Sequence, residues 1–146
     1  MYAEMAARLT VRQHAERAHS LVAPYEDQAV TTGAAITFVG AVPHYLGLTA
    51  AALDQRPRAR AHFERALTMH ERLGARPWAL RTRYELASLM LQEPEHRNQG
   101  LRALEEVAEA AAALSSSRLG TISAALPSRT ASAIKRSCGS VRKPVR

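Results

Sequence analysis

The stretch YLGLTAAALDQRPRARAHFERAL, residues 45–67, decides the predicted fold. It contains a Leu-Gly pair that ends at Gly47 and, twelve residues later, Ala59, which is followed by Phe63 and Ala66 at helical spacing. Small residues on facing helices let the two axes approach closely, because no bulky side chain stands between them. We therefore predict two antiparallel helices in contact at these places, with Phe63 filling space toward the next pair.

The same spacing recurs along the chain. Three alanines lie forty-four residues apart, namely Ala15, Ala59 and Ala103, and a larger side chain follows each by four places, namely His19, Phe63 and Val107. A third set lies three places further on, at Val22, Ala66 and Ala110, and the small residues that precede the alanines are Ala3, Gly47 and Ala87. A long period of this kind indicates stacked helix pairs. We predict repeat units at about residues 1–24, 37–74 and 78–114, each element being helical.

The middle unit resembles the tetratricopeptide repeat. Leu46, Gly47, Ala59, Phe63 and Ala66 match that pattern in register, whereas its tryptophan, tyrosine and closing proline places hold Pro43, Ala50 and Glu71. The spacing of forty-four residues exceeds the usual period of about 34. In this respect the chain resembles the arrays at the C-terminal ends of bacterial LuxR-type regulators with an ATPase module and of ATPase-coupled nucleotide cyclases. The resemblance implies an all-α solenoid over residues 1–114.

The resemblance also implies where a partner would bind. The first helix of each pair lines the concave face of such an array, and its exposed positions accept peptides or neighbouring domains. In this register the candidate partner-binding residues are His44, Leu48, Arg81, Tyr84 and Ser88, with Ala51 and Leu91 beside them. The alternative is that several of them pack against adjacent helices, because a short array offers little groove.

Charge divides the chain near residue 115. Residues 1–117 hold thirteen arginines and thirteen acidic residues, so the whole formal net charge of +7 comes from the lysines and arginines of residues 118–146. Serine also becomes frequent there. We predict that residues 115–146 are a disordered basic tail. It could solubilise the chain, contact nucleic acid through its cations, or result from translation out of register, and the sequence leaves these alternatives open.

Motifs of catalysis and metal binding are missing from the sequence. It contains no H-E-x-x-H, G-x-S-x-G or P-loop pattern, and the single cysteine, Cys138, has no neighbouring histidine to activate it. The carboxylates Glu105, Glu106 and Glu109 are spaced as a solvated helix face. We therefore expect no enzyme activity, no cofactor and no metal.

An uncharged segment, residues 28–53, is long enough to span a bilayer, but its polar residues and the lack of a basic flank favour a buried helix. The amino terminus lacks the apolar core of a signal peptide, and one cysteine excludes an internal disulfide. We expect a cytoplasmic protein without a membrane anchor.

These observations favour a non-catalytic protein-interaction scaffold, interpreted as a fragment or regulatory portion of a bacterial signalling or transcriptional regulator. The alternative is a small nucleic-acid-associated protein that binds through the basic tail. The partner would be a protein or peptide, or other domains of a parent regulator. Self-association through the uncovered end of the array is a further expectation, because a terminal repeat without a polar cap exposes apolar surface.

Overall fold

The computed structural model describes residues 2–8, 11–33 and 37–125, the last nine as backbone only. The chain divides into two units, Met1–Glu109 and Ala110–Arg146. Most of the described residues are helical. The α-helices are α1 (Tyr2–Arg8), α2 (Arg12–Val22), α3 (Val42–Ala52), α4 (Arg56–Arg72), α5 (Arg76–Leu91) and α6 (Arg97–Ala125), and short 3₁₀ turns cover Ala23–Tyr25 and Pro94–His96.

Helix boundaries in the first unit follow local chemistry. Pro43, Pro57 and Pro77 lie in the first turns of α3, α4 and α5, where a missing N–H leaves no hydrogen bond unmade. Gly74 follows α4 with φ of 63°, and Asp54 follows α3 with φ of 59°. A left-handed residue at this position ends a helix. The connections between α3, α4 and α5 are consequently only three residues long.

The expectation that every element is helical is wrong for one segment. Strands β1 (Ala29–Thr32) and β2 (Thr37–Ala41) form an antiparallel hairpin with an irregularity between Val30 and Thr31. The segment is rich in β-branched residues, which favour extended backbone. Its first strand is almost wholly exposed, so it lacks the apolar alternation by which a strand is recognised in a sequence.

Helix α3 is the centre of the first unit. Every residue from Val42 to Ala50 is buried, and α3 packs against α1, α2 and α4. A Cβ on Gly47 would lie 2.5 Å from ring atoms of Phe63 in α4. The close approach of α3 and α4 therefore depends on glycine at this position, and Phe63 fills the space over Gly47.

The other positions assigned to repeat packing lie mostly inside. Leu46, Ala59, Ala66 and Ala87 are buried, whereas Ala103, Val107 and Ala110 are half-buried. A glycine that the repeat pattern did not include, Gly100, brings α6 against α5, because a Cβ there would lie 3.0 Å from the Ala87 carbonyl oxygen.

The end of the helical region differs from the predicted boundary. Helix α6 continues to Ala125, so residues 115–125, which were assigned to a disordered tail, are helical. Residues 126–146, on which the rest of the tail prediction falls, lie outside the described residues. Within the described part of the chain, no helix combines the length and apolar character that crossing a membrane requires.

Candidate functional site

Two of the five predicted partner-binding residues are inside the first unit. His44 is fully buried and Leu48 is 6% exposed, so the expectation that they lie on an open concave face is not met. His44 contacts Thr82 of α5 across 2.9 Å, and Leu48 belongs to an apolar cluster that includes Ala3 of α1. Neighbouring helices on both sides thus cover this face of α3.

Two ion pairs join those covering helices to each other. Glu4 of α1 pairs with Arg81 of α5, and Arg8 of α1 pairs with Glu85 of α5 at 2.7 Å. The partners in each pair are separated by 77 residues in sequence. These pairs bring side chains of α1 and α5 together over the face of α3 that carries His44 and Leu48.

The remaining three candidates lie along one stripe of α5. Tyr84 is 49% exposed, Ser88 is half-buried, and the side chain of Arg81 is 37% exposed. Arg81 also stacks over the ring of Trp78 at 5.0 Å, which holds its guanidinium in place. Tyr84 and Ser88, unlike Arg81, take no part in the two ion pairs with α1.

A polar cluster lies beneath this stripe. The Ala41 N–H donates to Nε2 of His70 across 2.9 Å, so neutral His70 carries its proton on Nδ1 and donates it to Oγ1 of Thr82 at 3.2 Å. Thr82 in turn donates to the Trp78 carbonyl at 3.0 Å. This assignment leaves His44 Nδ1 to donate to Thr82, and Nε2 of His44 has no hydrogen-bond partner among the described residues.

Burial keeps these histidines uncharged. Loss of solvent, with smaller contributions from Arg81, His70 and Arg8, lowers the pKa of His44 from 6.5 to about 3. Burial also lowers the pKa of His70. Among residues that the structure describes, no three His, Cys, Asp or Glu side chains are grouped so as to hold a metal ion. The cluster therefore joins the hairpin, α3, α4 and α5 as a core polar network.

An open groove lies between α5 and α6, with a volume of about 220 Å³. Its walls are mainly apolar and consist of Leu80, Leu86, Ala87, Met90, Ala103 and Val107. Arg83, Gln99 and Glu106 form its polar rim. Cavities that enclose small ligands usually measure about 300–1,000 Å³. This smaller groove has the size of one or two large apolar side chains.

The groove was only partly visible in the sequence. Leu80 and Ala87 share one helical stripe, and Met90 continues it at the next turn. The facing residues of α6 come within reach because Gly100 lets the two helices approach. Ala103 and Val107, assigned to repeat packing, line this groove and remain half-buried. We define the α5/α6 groove by its apolar residues and the α5 stripe by Arg81, Tyr84 and Ser88.

Comparison of the chain with models of protein families, with curated proteins and with solved structures gives no match.

Proposed function

We propose that the first unit is a non-catalytic protein-binding module, built as a short array of tetratricopeptide-like helix pairs, and that it binds a helix of a protein partner in the α5/α6 groove. The partner is another protein or another domain of a parent bacterial regulator, in the cytoplasm. The observation that carries the proposal is the groove itself, an apolar surface with a polar rim that remains open in the described structure.

The packing order supports an array. Helix α3 packs against both α1 and α2, and it makes its most extensive contacts with α4. Close approach recurs in successive pairs, since Gly47 meets Phe63 between α3 and α4, and Gly100 meets Ala87 between α5 and α6. Stacked pairs bury a continuous core, each pair covering the one before it.

The same packing indicates what shape of ligand fits the groove. Because α3 lies against both helices of the preceding pair, a helix lying against both α5 and α6 would continue the arrangement by one step. Grooves of this kind accept amphipathic helices, whose large apolar side chains recur at positions i, i+3 or i+4 and i+7. The volume of the groove limits the anchor to one or two such side chains.

Of the α5 stripe, Tyr84 lies nearest the groove, because it is one helical turn from Leu80 and from Ala87 in the groove wall. Tyr84 presents a half-exposed ring and hydroxyl group, and tyrosine is enriched at interfaces because its ring is apolar while its hydroxyl is polar. Ser88 lies one turn further along the same face. We expect these side chains to contact the outer edge of the bound helix.

Site-specific photo-crosslinking tests the proposal. A benzophenone amino acid replaces Tyr84 in one sample and Thr68, an exposed residue of α4, in the control sample. After irradiation of intact cells of the source organism, the proposal predicts a discrete protein adduct from position 84 that position 68 does not give. Identical adduct patterns from the two positions, or no adduct from position 84, would contradict it.

A further inference from the structure

Helix α1 carries an exposed apolar face that the proposed function does not use. Tyr2 is 49% exposed, Met5 is 55% exposed, and Val11 at the start of α2 is 44% exposed. The Tyr2 hydroxyl lies 3.4 Å from Nδ1 of His14, which places Tyr2 beside α2. We define Tyr2, Met5 and Val11 as the N-terminal patch. It differs from the buried face of α1, which carries Ala3 and Ala6.

The contact between α3 and the preceding helix pair, α1 and α2, indicates which kind of surface this patch is suited to contact. Thr49 of α3 lies against the preceding pair, where its Oγ1 is 2.9 Å from Nδ1 of His19 in α2. In the forty-four-residue register, Met5 is the equivalent of Thr49, and Tyr2 is the equivalent of Leu46. The patch is therefore the face of α1 that corresponds to the face by which α3 meets a preceding pair.

The same register identifies the opposite surface. His19, which contacts Thr49, is equivalent to Phe63 and to Val107. Val107 lies in the α5/α6 groove and is half-buried. Met5 is thus equivalent to Thr49, and Val107 is equivalent to His19. If a second molecule of this chain stacked on the first, its Met5 would meet Val107 of the first as Thr49 meets His19 within one chain.

Charge is complementary across these two surfaces. Arg8 and Arg12 follow Met5. Each pairs with a glutamate of its own chain, Glu85 and Glu16 respectively, and their side chains remain 55% and 70% exposed. Glu106 lies on the rim of the groove beside Val107, and Glu109 follows it, both carboxylates being exposed. Approach of the N-terminal patch to the groove brings arginines toward carboxylates, which favours association and fixes its direction.

We propose that the chain associates head to tail, with α1 of one copy lying in the α5/α6 groove of a second copy and Met5 placed against Val107. This proposal rests on the proposed function, because it names a partner for the same groove. The two surfaces are different, so a dimer leaves one patch and one groove unoccupied, and further copies can add to them. Because α1 has only seven residues, the interface is small, and small interfaces are typical of weak, concentration-dependent association.

Sedimentation velocity on the full chain over a wide concentration range tests this. We expect the unchanged chain to form species larger than a dimer as its concentration rises. Met5→Glu blocks the patch and Val107→Arg blocks the groove, so each variant alone should sediment as a monomer. Thr68→Glu and Ala108→Arg place the same charges at exposed positions outside both surfaces and should leave association unchanged. Circular dichroism checks that all four variants keep their helical content.

Mixing the two blocked variants is the decisive step. The Met5→Glu chain has an intact groove and the Val107→Arg chain has an intact patch, so the mixture should form a one-to-one dimer and nothing larger. A mixture that remains monomeric, an unchanged chain that is monomeric throughout, or self-association that either variant leaves intact would overturn the head-to-tail proposal.

If self-association fails while Val107→Arg abolishes the cellular adduct from position 84, the proposed function stands without this inference. If that adduct persists in Val107→Arg, the groove itself is not the binding site.

Discussion

The ring of Phe63 lies where a side chain on residue 47 would have to stand, with two ring atoms 2.5 Å from the position of a Cβ on Gly47. Both residues are fully buried, and the helices that carry them make the most extensive contact in the first unit. The distance between α3 and α4 is therefore set by the absence of one methyl group opposite one phenyl ring.

Gly47→Ala should lower the free energy of unfolding by about 1–3 kcal/mol, because the added methyl group overpacks a close helix contact. Urea denaturation measures the change. In a double-mutant cycle with Phe63→Leu, the smaller side chain should relieve part of the clash, giving a favourable coupling of at least about 0.5 kcal/mol. Strict additivity of the two substitutions would show that the ring does not limit the helix separation.

Gly40→Ala should destabilise the hairpin end of the first unit by about 2–4 kcal/mol, since it combines backbone strain with overpacking. Residue 40 has φ of 111°, and a Cβ there would lie 2.8 Å from Cε3 of Trp78. Trp78 is the single tryptophan of the chain, so its fluorescence reports the displacement directly.

Gly33→Ala is the matched control for the hairpin. Gly33 also has a positive φ, of 61°, but no atom of the residues that the structure describes lies within 4 Å of the position of its Cβ. This substitution should cost only the backbone strain and leave the emission of Trp78 unchanged. Equal losses of stability from the two glycine substitutions would contradict the contact with Trp78.

Stability should fall on acidification below about pH 6.5. Burial holds the pKa of His44 in the folded chain at about 3, whereas its ordinary value is 6.5. Between these two values the unfolded chain binds a proton at this site and the folded chain does not, so the free energy of unfolding decreases as the pH falls. Above pH 6.5 both states are neutral, and this histidine contributes no pH dependence.

Replacing His44 measures how much this residue contributes to the pH dependence of stability. Between pH 4 and 6, His44→Leu should reduce the slope of the free energy of unfolding against pH by about 1.4 kcal/mol per pH unit. His14→Gln, a substitution at the surface, is the control. Urea titrations at several pH values give both profiles. An unchanged profile in His44→Leu would mean that His44 is protonated in the folded chain.

Arg81 and Tyr84 should separate binding from stability. Arg81 pairs with Glu4 and stacks on Trp78, so Arg81→Ala should lower the free energy of unfolding by about 0.5–1 kcal/mol in this partly exposed setting. Tyr84→Ala should change it by less than about 0.5 kcal/mol. Both should reduce crosslinking from a benzophenone amino acid placed at Met90 in the groove wall. A Tyr84→Ala chain that binds as well as the unchanged chain would remove the α5 stripe from the site.

The sequence predicted the α3/α4 contact because that contact is local. Gly47 and Phe63 lie on consecutive helices joined by three residues, so helical spacing alone brings them together. The burial of His44 and Leu48 could not be predicted in the same way. It depends on α1 and α5, which ion pairs between residues 77 positions apart bring together, and no periodic pattern encodes such pairs.

The hairpin and the groove show two further limits. Strand β1 is almost wholly exposed, so burial gives it no apolar alternation to detect. Ala87 was predicted as a packing position, but the groove also requires the close approach of α6 at Gly100, a single glycine outside the repeat register. Thr82, which joins His44 and His70, carries no sequence signal of its own, because threonine is common on helix surfaces as well as inside.

The most direct test of the central claim is photo-crosslinking from Met90, which lies in the wall of the α5/α6 groove. The experiment compares an otherwise unchanged chain with chains that carry Val107→Arg or Ala108→Arg. We predict a protein adduct from Met90 that Val107→Arg abolishes, because the arginine fills the groove. Ala108→Arg, on the exposed side of the same helix, should preserve the adduct. An adduct that survives Val107→Arg, or no adduct in any chain, would contradict a protein-binding groove between α5 and α6.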